Sequence, residues 1–464
     1  MGTNPQKAGM NPDTPPASGP VTPFSIPNIR RYIAFKVLFN SRFYYPVFTI
    51  LFLDFGLTVA QFSILNAVWA ATIVLAEVPS GALADTIGRK KLLVFATMTM
   101  VVEVGLIAFL PTGNMSLIFW AFLVNRVLSG LAEAAASGAD EALAYDALKK
   151  YGDPKEWGRI LEVLTRFQSM GFIIAMTTGA AVYDPSLMTA IADTLGFSVS
   201  LTRETCMRFP LYGTLFLALG ACWATAGMED VRAEPVATAG SSLSRSSELG
   251  RAFGLTFKAG AWILNTPFVL GVILFGMLFD SSIRMVITLS SQYYRMILLP
   301  ESLFGIIGAG VAVLGFFIPG IARKLAETRS HRSGVWLTAG LAAAGLISMN
   351  FFWPWGGMIP ALITYSAMYF NGFFVSFYIN RETPSAQRAT VLSFKGLSYN
   401  LAYGLYGIGY ALMLKLQRQA LDTDLTGQAL DNLVFRESFF IFPSLFVMGF
   451  MGLILIFALF LKTE

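Results

Sequence analysis

Charge is scarce in this chain. Of 464 residues only 13% are Asp, Glu, Lys or Arg, while 55% are hydrophobic; soluble domains carry about a quarter charged residues. That balance excludes an ordinary water-soluble domain and points to a membrane protein. Ligating side chains are scarcer still. His331, the single histidine, lies in a basic loop, and Cys206 and Cys222 are the only cysteines. Cys222 sits inside an apolar run, which argues against a disulfide, and so few ligands exclude a zinc, haem or Cys/His nucleophile constellation. No Gly-x4-Gly-Lys-Ser/Thr loop is present, so nucleotide-driven chemistry is not expected. We therefore expect no metal, no cofactor and no enzymatic activity.

Long apolar runs are what the chain has instead. A spanning helix needs about 20 predominantly apolar residues. Twelve candidates occur, near 33–54, 59–80, 91–111, 117–139, 160–182, 209–228, 262–291, 301–322, 334–353, 357–379, 390–414 and 437–461. Residues 1–29 are rich in Pro, Thr, Gly and Asn, with no apolar core and no small-residue cleavage site. They read as a disordered cytoplasmic tail, not a signal peptide. With the N-terminus inside, the cytoplasmic segments hold 23 Lys and Arg and the outer segments 6, the other four of the 33 lying within spans. This asymmetry predicts both termini in the cytoplasm and accounts for the positive net charge without a nucleic-acid partner. A polar stretch, AGSSLSRSSELGR at 239–251, divides the spans six and six. The expected organisation is a tail at 1–29, one six-helix bundle at 30–228, a linker at 229–260 and a second bundle at 261–464. An all-α membrane fold of this build is one that transporters use.

One connection stands out. Residues 77–94 read EVPSGALADTIGRKKLLV and hold the pattern Gly81-x-Leu83-x-Asp85-x-x-Gly88-Arg89-Lys90-Lys91. Gly81 suits a close helix crossing, Gly88 a turn with positive φ, and the three bases anionic headgroups. The stretch resembles the signature between the second and third helices of the major facilitator superfamily. That resemblance covers nearly the whole chain. It implies twelve helices in two bundles, a transport function by alternating access, and a gate in which Asp85 docks on the start of the eleventh helix beside Arg388. Gly81, Asp85, Gly88, Arg89 and Arg388 are thus the gating candidates.

Charges inside spans are costly and default to functional hypotheses. Arg126, in NRVLSGLAEAAASG (125–138), has the order Arg-x-x-x-Gly-x-x-x-Ala. It resembles the fourth-helix motif of proton-coupled facilitators, with Ser129 where glutamine is usual. Glu133 follows two turns later on the same face. Asp280 and Arg284 are four apart and can pair. Glu103 lies mid-span without a partner nearby in sequence. These five, Arg126, Glu133, Asp280, Arg284 and Glu103, are the proton-coupling candidates. The fifth span, SMGFIIAMTTGAAVYD (169–184), has Gly171 and Gly179 but lacks the proline that drug/proton antiporters of this superfamily carry between them.

Tyrosines 399, 403, 406 and 410 recur on one face of the eleventh span beside Asn400. Buried phenols want partners or water, which a cavity supplies. With Tyr369 and Asn371 of the tenth span and Asn40, Arg42 and Tyr44 of the first, they predict a mixed aromatic and polar pocket. Its expected lining is Asn40, Arg42, Tyr44, Tyr369, Asn371, Tyr399, Asn400, Tyr403 and Tyr406. Arginines there can meet an anionic group. The expected function is proton-coupled efflux of amphipathic organic compounds. Proton-coupled metabolite uptake, lipid or lysolipid transport, and a non-transporting sensor of the same fold are the alternatives. The expected setting is a bacterial inner membrane, with a monomer in contact with lipids, protons and a small-molecule substrate.

Overall fold

The computed structural model describes residues 22–230, 260–383, 388–421 and 423–460. The 239–251 linker lies outside the described residues, as do the side chains of Asp85 and Arg388 and hence the expected gate contact between them. The described residues form helices and no strands. In chain order they are α1 (Pro27–Asn40), α2 (Phe48–Asp54), α3 (Val59–Ile87), α4 (Arg89–Ala108), α5 (Met115–Ala136), α6 (Ala139–Tyr151), α7 (Trp157–Tyr183), α8 (Pro185–Thr194), α9 (Arg203–Cys206) and α10 (Phe209–Ala226) in the first half. The second half holds α11 (Pro267–Thr288), α12 (Ser290–Met296), α13 (Phe304–Thr328), α14 (His331–Met349), α15 (Met358–Glu382), α16 (Arg388–Ala420), α17 (Gly427–Ser438) and α18 (Ile441–Phe460). Each of the twelve expected segments contains helix. Among the described residues nine helical segments are long and apolar enough to cross a membrane. Large apolar side chains such as Phe216, Trp223 and Met448 are left exposed on the outside of the bundle, as lipid-facing helices require.

The first expected span is not one helix. It breaks over residues 41–47 and resumes as α2. Pro46 explains the break, because its ring clashes with the carbonyl four residues back, that of Arg42, and it donates no N–H. The freed backbone finds partners inside the protein: Phe43 N–H donates to Thr214 Oγ1 at 3.0 Å. Gly179 of α7 makes room for the break, since a Cβ there would fall 1.8 Å from the Phe43 carbonyl oxygen. Arg42 is thereby carried into the interior.

Two sides can be distinguished. α1 begins and α18 ends on one side, here the terminus side; α2 and α7 end on the far side, where α13 begins. The halves close on each other toward the far side through small residues. A Cβ at Gly305 of α13 would fall 2.2 Å from the Met176 carbonyl oxygen of α7, and Gly407 of α16 lies against the backbone of Ser63 in α3. On the terminus side the picture differs. Gly88 does take φ of 105° between α3 and α4, the turn expected of it. Gly81, however, was expected at a close crossing, and a Cβ there would meet nothing within 4 Å.

Candidate functional site

At the centre, both halves wall a cavity of about 180 Å³. Arg42, Tyr44 and Tyr45 enter from the break, Phe48 from α2, Asn66 and Trp69 from α3, and Arg126, Ser129 and Glu133 from α5. Arg284 and Thr288 of α11 and Tyr403 of α16 complete it from the other half. Gly130 sets this wall. A Cβ there would lie 3.0 Å from the Trp69 carbonyl oxygen, so only glycine lets α5 approach α3 beside Trp69.

Charges are arranged in two clusters. Arg42 Nη1 donates to Glu103 Oε1 and to the Tyr44 hydroxyl, each at 2.7 Å, and Arg42 Nη2 reaches Glu133 at 3.4 Å. Glu103 is fully buried, whereas Glu133 is about one-third exposed toward the cavity. Asn125 ties Glu103 in place: its amide donates to the Glu103 carbonyl at 2.8 Å and to the Glu103 carboxylate. The Asn125 Oδ1 in turn accepts from Arg126 Nε and Nη2 at 3.0 and 2.9 Å. Across the cavity Arg284 pairs with Asp280 at 2.7 Å, donates to Asn400 Oδ1 and the Tyr399 carbonyl at 3.0 Å, and lies 4.2 Å from the Tyr403 ring centroid. That Arg284–Asp280 contact is an ion pair by distance; the contacted Oδ2 lacks the alignment of a hydrogen bond.

The structure brings together most of the sequence candidates but not all. Arg42, Tyr44, Arg126, Glu133, Arg284 and Tyr403 line the cavity, with Glu103, Asp280, Tyr399 and Asn400 directly behind them. Asn40 and Tyr369 line a wider cleft of about 900 Å³ on the terminus side, between α1, α7, α13 and α15. Asn371 lies in a separate cavity of the second half and donates to the Gly276 carbonyl at 3.3 Å. Tyr406 lines a groove beside α18 and stacks on Phe442. Arg89 pairs with Asp146 of α6. A chamber of about 260 Å³, with Phe172, Tyr294 and Phe304 in its wall, shares lining residues with both the central cavity and the cleft. Tyr45 lines all three spaces.

Sequence reasoning missed a latch on the far side. Arg295 grips Asp54 with two hydrogen bonds of 2.8 Å and donates to Glu301 at 3.0 and 3.2 Å. Arg203 donates to Glu301 at 3.0 Å, and the Tyr183 hydroxyl donates to Asp54 at 2.5 Å. Asp54, Tyr183 and Arg203 belong to the first half, Arg295 and Glu301 to the second. Asp184 adds a weaker stitch, accepting from Ser302 N at 3.4 Å. Burial pushes its carboxyl up, but hydrogen bonds from Ser186, Ser302 and Leu187 outweigh this and hold it below the usual carboxylate range. Removing the Asp54 charge leaves Arg295 with half its partners. In a chain freed of Cys206 and Cys222, Asp54→Asn is expected to speed far-side labelling of Thr288→Cys by an impermeant thiol reagent about tenfold. Unchanged labelling would remove the latch from the closing of that side.

Two bundles enclosing a charged central cavity, shut on one side by cross-half ion pairs, define an integral membrane protein of transporter architecture. The chain belongs to the Major Facilitator Superfamily, whose family model matches residues 33–416. Solved structures agree on the fold. A mutant of the nucleoside transporter NupG superposes with a TM-score of 0.67 at 14% identity, covering 94% of this chain and 100% of that one. A bacterial homolog to the human lysosomal transporter Spinster, inward-facing and unoccupied, gives 0.66 at 15% identity, covering 96% and 99%. The D-xylose-proton symporter gives 0.61 at 12% identity, covering 93% and 97%. Among curated proteins nothing matches at a significant level.

Proposed function

We propose that this protein is a proton-coupled secondary transporter of amphipathic organic compounds. It binds them in the central cavity and works by alternating access. The observation that carries this reading is the cavity itself, walled by both halves, latched on the far side and adjoining an aromatic chamber and a cleft toward the terminus side. The charge asymmetry of the loops puts the cytoplasm on the terminus side, so this arrangement corresponds to an inward-facing state. Among its structural neighbours, the nucleoside transporter and the D-xylose-proton symporter move small organic solutes by name; their low identity lends this chain the fold alone.

Glu133 is the carboxylate best placed to exchange a proton. Glu103 is held by Arg42 and Asn125 and sealed from the cavity, while Glu133 faces it and touches Arg42 at the longer distance. The carboxylate of Glu133 can therefore leave Arg42 when protonated without exposing a buried charge. In proteoliposomes carrying an internal pH dye, a panel of organic anions, cations and neutral amphiphiles is expected to give a proton flux with one class only. Glu133→Gln is expected to cut that flux at least about tenfold while the compound still binds. Transport of a bound compound with no proton movement would make the protein a uniporter and return Glu133 to a structural role.

A further inference from the structure

Three guanidinium groups reach the central cavity, and two of them are matched. Arg42 has Glu103 and Glu133, and Arg284 has Asp280. Arg126 has no carboxylate within 4 Å among the described residues. It is 4% exposed, shares one neutral amide oxygen between two of its nitrogens, and lies 5.3 and 5.5 Å from the ring centroids of Phe48 and Phe52. An amide oxygen and two ring faces carry only partial negative charge, and a cation at this depth calls for a full one. The surroundings do not supply it. Among the described residues, Arg42, Arg126 and Arg284 stand against Glu103, Glu133 and Asp280. Two of these carboxylates belong to Arg42 and the third to Arg284, so Arg126 is left without one.

Space beside the arginines fixes the rest of the ligand. The cavity of about 180 Å³ suits a compact oxyanion with a few further atoms, and the neighbouring chamber of about 260 Å³ presents Phe172, Tyr294 and Phe304. Tyr45, Phe48 and Thr288 belong to both walls, so a ligand with its head at Arg126 has its tail against aromatic rings. Resting on the carrier reading above, we propose that the substrate is an amphipathic organic monoanion whose carboxylate or equivalent oxyanion is received by Arg126. Organic cations are rejected by the same three guanidiniums. Among the described residues the one charge by which the second half lines the cavity is Arg284.

A proton on Glu133 strengthens the site further. The groups facing Glu133 are Arg42, Tyr44 and Tyr45 from the break, Glu103 from α4, Arg126 on its own helix, and Arg284 and Tyr403 across the cavity. Neutralising it frees a share of Arg42 for the incoming anion and leaves the cavity with one positive charge in excess. Anion and proton thus load together, which makes the coupling co-transport and not exchange.

The test is calorimetric titration of the purified full-length protein in detergent with 2-naphthoate, 2-naphthamide and 2-naphthylmethylamine, which share one aromatic body. Micelle partitioning is subtracted using protein-free detergent. The carboxylate is expected to bind at least about tenfold more tightly than the amide and the amine, with the advantage lost in Arg126→Gln and partly kept in Arg126→Lys. Equal or tighter binding of the amide or amine, or no carboxylate binding, overturns the proposal, as does an undiminished carboxylate advantage in Arg126→Gln. If Arg126→Gln does not fold, the ranking in the unmodified protein decides. Far-side labelling of Thr288→Cys in Asp54→Asn needs no ligand, so it judges the carrier reading separately: labelling that responds while carboxylates fail sinks the anion assignment alone.

Discussion

Arg42→Gln is expected to be the most damaging single substitution in the central cavity. It leaves Glu103 fully buried with its ionic partner gone, and breaking a buried pair from one side costs about 3–5 kcal/mol. The damage does not stop at one contact. Glu103 also holds Asn125, and Asn125 holds Arg126, so loss of Arg42 unsettles the group to which the ligand head is assigned. Thermal unfolding in detergent should show a clearly lowered midpoint, and proton-coupled flux should fall below detection. The double variant Arg42→Gln/Glu103→Gln removes both charges and restores a neutral hydrogen-bonding pair. It is expected to recover most of the stability and little of the transport. If the double variant is as unstable as the single one, the pair is not what holds this region together.

Gly305→Leu is expected to move the whole molecule. The Cβ alone would fall 2.2 Å from the Met176 carbonyl oxygen and 2.6 Å from the Thr177 Cα, both backbone atoms of the opposite half. Backbone cannot swing aside as a side chain does, so the far-side seam has to part. Spin labels at the exposed positions Leu195 and Leu298, in a chain freed of native cysteines, should shift to longer distances. Gly310→Leu on the same helix is the control, because a Cβ there meets nothing within 4 Å. A distance distribution unchanged in Gly305→Leu would show that the seam deforms locally and does not report the closure of the two halves.

Much of this was legible in the sequence, and the failures have identifiable causes. Apolar runs gave the helical segments, since spanning length and hydrocarbon thickness are tightly linked. The break after Asn40 was not read, and the cue for it was Pro46, which lacks an N–H and crowds the Arg42 carbonyl. Nor was the pairing of Arg42 with Glu103, for the two are 61 residues apart and meet only where the break carries Arg42 into the interior. The tyrosines of α16 show a different limit. All four share one helical face, but the face meets different neighbours along its length: Tyr403 reaches the cavity, while Tyr410 bonds Ser438 and Tyr406 stacks on Phe442. The latch was hidden by its own function as a topology signal. Arg203 and Arg295 count among the six bases of the far side, and their rarity there was the cue that they are held for something else.

The two sets of ion pairs sit in different media, and this separates how they answer to salt. The side chains of Asp54, Glu301, Arg295 and Arg203 are 10%, 13%, 19% and 39% exposed at the membrane edge, within reach of dissolved ions. Arg42 and Glu103 are almost wholly shielded. Raising ionic strength from 0.01 to 1 M shortens the Debye length from about 30 Å to about 3 Å and weakens the first set far more than the second. Salt on the far side thus acts as a throttle on how long that side stays shut, while the Arg42–Glu103 pair is left nearly untouched.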